Sequence, residues 1–185
     1  MSTETLLAII IPVVVVLAAL AVAALLLMRH RRLRERFGPE YDRAVEETGS
    51  RRAAERDLSE REKRHDSLDI RPLPSGVRER YTQEWDSVQG EFVDRPEDAV
   101  QDADVLVTSL MRERGYPTED LTQRLKDLSV EHSRTLEHYR AAHEVNRMSI
   151  KHEATTEQLR GAMVHYRALF TELLSDGGQA RHARA

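Results

Sequence analysis

Hydrophobic residues are distributed very unevenly along this chain. An unbroken apolar run extends from Leu6 to Met28 and contains no charged side chain. As an α-helix with a rise of about 1.5 Å per residue, the run is roughly 34 Å long, enough to cross a bilayer core of about 30 Å. The pattern therefore predicts a single transmembrane helix over residues 6–28, after a short N-terminal tail of residues 1–5.

The charges on the two sides of the apolar run are unequal. Glu4 is the only charged side chain before it, whereas a basic cluster follows it directly: Arg29, Arg31, Arg32, Arg34 and Arg36. Arginine close to a span is retained in the cytoplasm. We therefore expect a single-pass protein of the cell membrane, with its N-terminus outside and its C-terminal domain in the cytoplasm. The same cluster can attract anionic lipid head groups, although its role in topology already accounts for it.

A cleaved signal peptide is the alternative interpretation, because Ala21-Val22-Ala23 has the small side chains of a cleavage site. The residues before the run contain no lysine or arginine, however, and the run continues past Ala23 to Met28, which favours an uncleaved anchor. Cleavage, or an inverted topology, would make the protein an exported or envelope-side helical module. Ala19 and Ala23 form a small-xxx-small pair, which would permit a homo-oligomer through close contact between spans.

The segment after the anchor is dense in charge. The helix is expected to continue as a basic extension over residues 29–37, until Gly38-Pro39 interrupts it. Residues 38–70 contain few apolar side chains, and pairs such as Glu47 and Arg51 have the i,i+4 spacing of helical ion pairs. This composition is typical of a solvated helical stalk or a peripheral coiled coil. Two prolines and a glycine then predict a linker over residues 71–76.

Regular helical periodicity begins at residue 77 and extends to residue 175. Val77, Tyr81, Trp85, Val88 and Phe92 recur at intervals of three or four residues, as on one buried face of a helix. Helix boundary signals then recur along the chain: Pro96 at a first helical position, Gly115 after a last one, and a capping box at Thr155-Thr156-Glu157-Gln158. These signals indicate a bundle of about five helices, followed by a disordered tail over residues 176–185.

No alternating strand pattern occurs anywhere in the sequence, so the predicted class is all-α. The predicted architecture is a single N-terminal transmembrane helix, a charged helical stalk and a helical bundle. The aromatic residues at buried helical positions are Tyr81, Trp85, Phe92, Tyr139, Tyr166 and Phe170. They are typical of a bundle core, and a groove lined by Trp85 and the tyrosines would also suit a partner helix.

The residues that usually carry catalysis do not form a recognisable motif. There is no cysteine, no G-x-S-x-G and no phosphate-binding loop. The histidines between His132 and His165 lack the i,i+4 spacing of a helical metal site, so His138 and His165 could approach one another only if their two helices pack. We therefore expect no catalytic residue, no cofactor and no metal site.

One short pattern occurs twice. Residues 136–142 and 163–169 each contain His-Tyr-Arg-Ala, which would fit a duplicated helix. The matching segments are too short to establish a repeat architecture, and chance similarity between two amphipathic helices explains them as well.

The charge distribution bears on the class of partner. The net charge is −4, and since residues 29–43 are basic, the distal domain is acidic. An acidic domain argues against a nucleic acid as the main partner, because phosphate binding needs a basic face. The expected role is a membrane-anchored helical scaffold or adaptor without catalysis, which binds another protein.

Several segments resemble an uncharacterised bacterial family of single-pass membrane or secreted proteins. They are R-F-G-P-E-Y-D-R at residues 36–43, Arg80-Tyr81, Trp85, Phe92-Val93-Asp94 and Arg114-Gly115-Tyr116-Pro117. The resemblance covers most of the chain after the anchor. It implies no activity and no functional residues.

Overall fold

The computed structural model describes residues 3–175, with side chains from Ile11 onward except that of Pro12. This part of the chain is helical and contains no β-strand, which confirms the predicted all-α class. The predicted disordered tail, residues 176–185, lies outside the described residues. The helices are α1 (Thr3–Phe37), α2 (Pro39–Thr48), α3 (Arg51–Asp66), α4 (Ser75–Glu91), α5 (Pro96–Arg114), α6 (Leu121–Leu128), α7 (Leu136–Ile150) and α8 (Thr156–Ser175).

Helix α1 exposes its apolar surface. Between Val13 and Phe37 it has an 18-residue window with a mean hydropathy of 2.4 and no buried residue. Leu25 and Met28, for example, are 66% and 68% exposed. The core helix of a soluble domain would bury such a surface. Within the described residues α1 is the one helix long and apolar enough to cross a membrane, although a signal sequence near an N-terminus shares these properties.

The chain divides into two compact units, residues 1–59 and 60–185, and the boundary falls within α3. In the first unit α2 packs against the end of α1. The Tyr41 hydroxyl donates a hydrogen bond to Glu55 Oε1 (3.0 Å) and lies 2.9 Å from His30 Nδ1. The apolar side chains buried in this unit are Leu33, Phe37, Tyr41, Ala44, Ala54 and Leu58.

Because of these contacts, the charged segment after the anchor differs from its predicted structure. The sequence predicts a solvated stalk there, whereas the structure divides the segment at Gly49, whose φ of 64° ends α2 in the left-handed conformation. Tyr41, Ala44, Ala54 and Leu58 are buried, and Val45, Leu68 and Ile70 are partly buried. Arg29 also reaches α3, because its Nη2 donates to Ser59 Oγ over 2.9 Å.

Helix α5 is the centre of the second unit, where it packs against α4, α7 and α8. Its inner face is fully buried at Val100, Ala103, Val107 and Leu110. Pro96 is its first residue, as its missing N–H allows, and Gly115 follows its last. These boundaries agree with those expected from the sequence.

Gly115 is required by more than helix termination. Its φ is +98°, and a Cβ built there would lie 2.3 Å from the Asp69 carbonyl oxygen. The backbone N–H of Arg71 donates to the carbonyl of Arg114 over 2.9 Å, so the segment after α3 runs directly across the end of α5. Only glycine fits this crossing, because it tolerates positive φ and has no side chain.

Helices α7 and α8 form an antiparallel hairpin joined by residues 151–155. The predicted capping box begins α8: Thr155 Oγ1 accepts from the N–H of Gln158 (3.3 Å), and Gln158 Oε1 accepts from the N–H of Thr155 (2.8 Å). This reciprocal pair satisfies backbone donors that have no partner within the helix.

Candidate functional site

A groove on the second unit lies along α4 and α8 and has a volume of about 300 Å³. Trp85 lines it and stacks on the buried ring of Phe170, with 4.7 Å between the ring centroids and 24° between the planes. The Trp85 indole N–H donates to Gln89 Oε1 over 3.3 Å. The residues lining the groove are Trp85, Gln89, Phe92, Arg160, Met163, Val164 and Arg167.

The charged residues of this groove are both arginines. Arg160 pairs with Glu157 at 2.7 Å, and both side chains are largely exposed. Arg167 has no acidic partner within the part of the chain that the structure describes. Val164 lies between them in sequence and is 64% exposed, although it is apolar. The groove thus combines an aromatic and aliphatic lining with an incompletely neutralised cationic rim.

A second depression lies between α4 and α5 and has the opposite character. Its volume is about 410 Å³, and three acidic residues line it, Glu84, Glu91 and Asp102, together with one arginine, Arg80, which lies 3.7 Å from Glu84. Val105 also lines this depression and is 63% exposed, much as Val164 is an exposed valine of the first groove. Glu91 is already neutralised by Arg95 at 3.3 Å. The two depressions therefore offer similar apolar surface with different charge.

The interior of the bundle contains a cluster centred on Asp104. The Tyr166 hydroxyl donates to Asp104 Oδ1 over 2.9 Å, and His143 Nδ1 lies 3.2 Å from the same oxygen. Burial, followed by the charge of Asp104 and this hydrogen bond, raises the pKa of Tyr166 far above its usual range. Tyr166 therefore stays a protonated donor at every physiological pH.

A buried arginine supports the neighbouring tyrosine. Arg124 Nη1 donates to the Tyr139 hydroxyl over 2.9 Å and to Thr108 Oγ1 over 3.2 Å, while its Nη2 donates to the Thr118 carbonyl. Burial and then the Asp104 charge raise the pKa of Tyr139, against the opposing effect of Arg124. The guanidinium thereby links α5, α6 and α7.

A third polar cluster surrounds His132, whose side chain is fully buried. Its Nδ1 lies 2.9 Å from Glu172 Oε1, and its Nε2 lies 3.1 Å from the Tyr116 hydroxyl. Thr135 Oγ1 donates to the other carboxylate oxygen of Glu172 over 2.5 Å. Burial raises the pKa of Glu172, but the hydrogen bonds from His132 and Thr135 and the charges of His132 and Arg134 outweigh it and lower the pKa. The carboxylate–imidazole–phenol chain lies among buried groups and is explained by packing.

The repeated His-Tyr-Arg-Ala segments meet across the α7–α8 hairpin. His138 Nδ1 and His165 Nδ1 are 2.9 Å apart, and their ring planes form an angle of 26°. The next residue of each segment does the same, since the rings of Tyr139 and Tyr166 meet edge to face at 6.2 Å. The histidine and the tyrosine of each segment thus face their own counterparts across the hairpin.

The basic cluster lies at the C-terminal end of α1. Arg36 is half-buried, and the other members are exposed: Arg29, Arg31, Arg32 and Arg34. Arg34 forms a long ion pair with Asp42, at 3.7 Å between exposed side chains, which contributes little to stability. Cations at this end also interact favourably with the helix dipole.

The aromatic residues singled out from the sequence lie in the second unit. Five are buried and Phe92 is partly buried: Tyr81, Trp85, Tyr139, Tyr166 and Phe170. Burial raises the pKa of Tyr81, and the charge of Glu113 adds to this effect. Of the set, Trp85 and Phe92 line the α4–α8 groove, whereas Tyr139 and Tyr166 belong to the interior network.

Sequence reasoning overlooked Arg124, and it considered His132 only among the histidines that lack the spacing of a helical metal site. Arg124 lies on an apolar helical stripe, between Leu121 and Leu128, whereas His132 lies in the loop between α6 and α7. A polar residue at such a position signals a buried hydrogen-bonded group rather than a surface one. For Arg124 that signal was available from the spacing alone, whereas for His132, which lies outside the helices, it was not.

A scan of protein-family models, a search of curated proteins and a search of solved structures found no match to this chain.

Proposed function

We propose that this protein is a membrane-anchored interaction module, a scaffold or adaptor without catalytic activity. In this proposal α1 holds the chain in the cell membrane, and the α4–α8 groove binds an amphipathic helix of a partner protein. The cationic rim selects a helix whose apolar stripe is flanked by aspartate or glutamate.

The groove carries the proposal. Amphipathic helices bind in grooves through apolar side chains spaced three, four and seven residues apart. Val164, which is exposed, provides an apolar contact for such side chains, and the largely buried side chains of Trp85 and Met163 line the groove beside it. Arg167, which has no acidic partner in the described range, provides the charge that an acidic flank would neutralise. Aromatic, methionine and arginine side chains are also those enriched at protein interfaces.

The anchor supports the proposal in a second way. The exposed apolar surface of α1 is long enough to cross a bilayer, and the arginines at its end favour a cytoplasmic location for the following residues. Confinement to a membrane raises the effective concentration of a binding site for a partner at the same membrane. Weak binding in a small groove then suffices.

The test is a selection against the full-length protein in lipid nanodiscs, with a displayed library of helical peptides. The affinity of each retained peptide is then measured for the unchanged protein and for the Val164→Asp variant. We expect the enriched sequences to have an apolar stripe flanked by acidic residues. Their binding should weaken at least about tenfold in Val164→Asp, which corresponds to about 1.4 kcal/mol, and should decrease with added salt.

Val105→Asp is the matched control. Val105 is as exposed as Val164 but lies in the acidic depression, so its substitution should leave the selected peptides bound. Arg167→Glu should reverse the preference towards peptides with basic flanks. Peptides that bind Val164→Asp as well as the unchanged protein would contradict the proposal, as would a selection dominated by basic sequences.

A further inference from the structure

We infer that His138 and His165 form a two-imidazole site for a divalent transition-metal ion, with Cu²⁺ bound most tightly. The site lies across the seam between α7 and α8, away from the groove proposed for the partner helix. The observation that carries the inference is the 2.9 Å distance between the two Nδ1 atoms.

The distance fits a particular coordination geometry. Imidazole nitrogens bind such ions at about 2.0–2.1 Å, so two of them at right angles are about 2.9 Å apart, and two at a tetrahedral angle about 3.4 Å apart. A right angle is the spacing of adjacent ligands in square-planar or octahedral complexes, which Cu²⁺ and Ni²⁺ favour. Water would complete the coordination, because His138 is exposed and His165 half-exposed.

These two imidazoles differ from the other described histidines. His30, His65, His132, His143 and His152 each have a carboxylate within ion-pair distance. Within the described range His138 and His165 have each other instead.

The helices hold the two histidine positions close together before an ion arrives. Each histidine directly precedes a tyrosine of the core pair, and Tyr139 and Tyr166 are both fully buried. In the free protein one Nδ1 must donate its proton to the other. To bind the ion, the donor ring changes to the tautomer with its proton on Nε2. The two nearly parallel rings also rotate, so that both Nδ1 lone pairs point towards the metal. No net proton needs to leave when both rings are neutral.

The test uses the full-length protein in detergent micelles, titrated with CuCl₂, NiCl₂ or ZnCl₂ in a non-coordinating buffer. Calorimetry gives the affinity and stoichiometry, and electron paramagnetic resonance of the Cu²⁺ complex counts the bound nitrogens. We expect one Cu²⁺ per chain with two imidazole nitrogens. Either His138→Gln or His165→Gln should weaken binding at least about tenfold, because each removes one arm of a chelate with a high effective concentration.

His152→Gln is the control, since His152 is 80% exposed but pairs with Glu97. It should leave the affinity within about twofold. Circular dichroism checks that each variant keeps its helices, and the two single variants test the site independently. Unchanged Cu²⁺ affinity in the His138→Gln/His165→Gln double variant would overturn the inference. So would a one-nitrogen spectrum, or tighter binding of Zn²⁺ than of Ni²⁺.

Discussion

The hydrogen bond between Tyr166 and Asp104 should be a measurable part of the stability of the bundle. The Tyr166 side chain is fully buried, and its hydroxyl donates to Asp104 Oδ1 over 2.9 Å. Tyr166→Phe removes only the hydroxyl oxygen and its proton, so the ring keeps its edge-to-face contact with Tyr139. The carboxylate keeps one other contact, to His143 at 3.2 Å.

The magnitude follows from the kind of bond that is lost. A hydrogen bond to a charged group contributes about 1.5–3 kcal/mol, and leaving a buried acceptor poorly satisfied adds to the loss. Asp104 is only 17% exposed, so water replaces the hydroxyl incompletely. We expect Tyr166→Phe to lower the free energy of unfolding by about 2 kcal/mol. The coupling between Tyr166→Phe and Asp104→Ala should be about 1–2 kcal/mol in a double-mutant cycle.

The assay is urea unfolding of the full-length protein in detergent, followed by tryptophan fluorescence. Trp85 is the sole tryptophan of the chain, and its stacking on Phe170 makes the signal specific to the bundle. If the effects of the two substitutions on the free energy of unfolding add within about 0.5 kcal/mol, the hydrogen bond between Tyr166 and Asp104 does not stabilise the bundle, because independent sites behave in that way.

Three further substitutions test other parts of the fold by the same assay. Gly115→Ala should lower the free energy of unfolding by more than about 2 kcal/mol, because it combines a positive φ with a clash against the Asp69 carbonyl. An unchanged free energy of unfolding would show that this crossing is loosely packed. The lowered pKa of Glu172 means that its contribution is present above its ordinary pKa and lost as the pH falls through its lowered value in the folded state. The unchanged protein should therefore exceed Glu172→Gln in free energy of unfolding by a constant amount from pH 7 to about 5, and by less at lower pH. A difference that grows on acidification would contradict the bond to His132. Thr155→Ala should lower the free energy of unfolding by about 1 kcal/mol, because it removes the hydroxyl that accepts from the N–H of Gln158. An unchanged unfolding midpoint would contradict that role.

Local signals predicted several helix boundaries well. Pro96 and Gly115 bound α5, and Thr155 caps α8, because these residues act on backbone groups within a few positions of themselves. The five helices of the bundle also follow from periodicity, since each buries one regular stripe. Such features depend on neighbours in sequence, which a single chain reveals directly.

Features that depend on contacts distant in sequence were less accessible. The burial of Tyr41 requires His30 and Glu55, whose approach no spacing rule predicts. The meeting of His138 with His165 depends on how two helices cross, although the repeated segment hinted at it. The groove depends in the same way on the packing of α4 near α8, so the residues that line it could not be predicted from the sequence.

The location of the bundle is the most direct test of the proposed function. A reporter active only in the cytoplasm would be fused after Ala185, with a periplasm-active reporter at the same position as the control. We expect a cytoplasmic signal from full-length protein that stays in the membrane fraction after alkaline extraction. A signal on the opposite side, or a shortened soluble product, would contradict it, because the apolar helix would then be an export signal or an anchor of inverted topology.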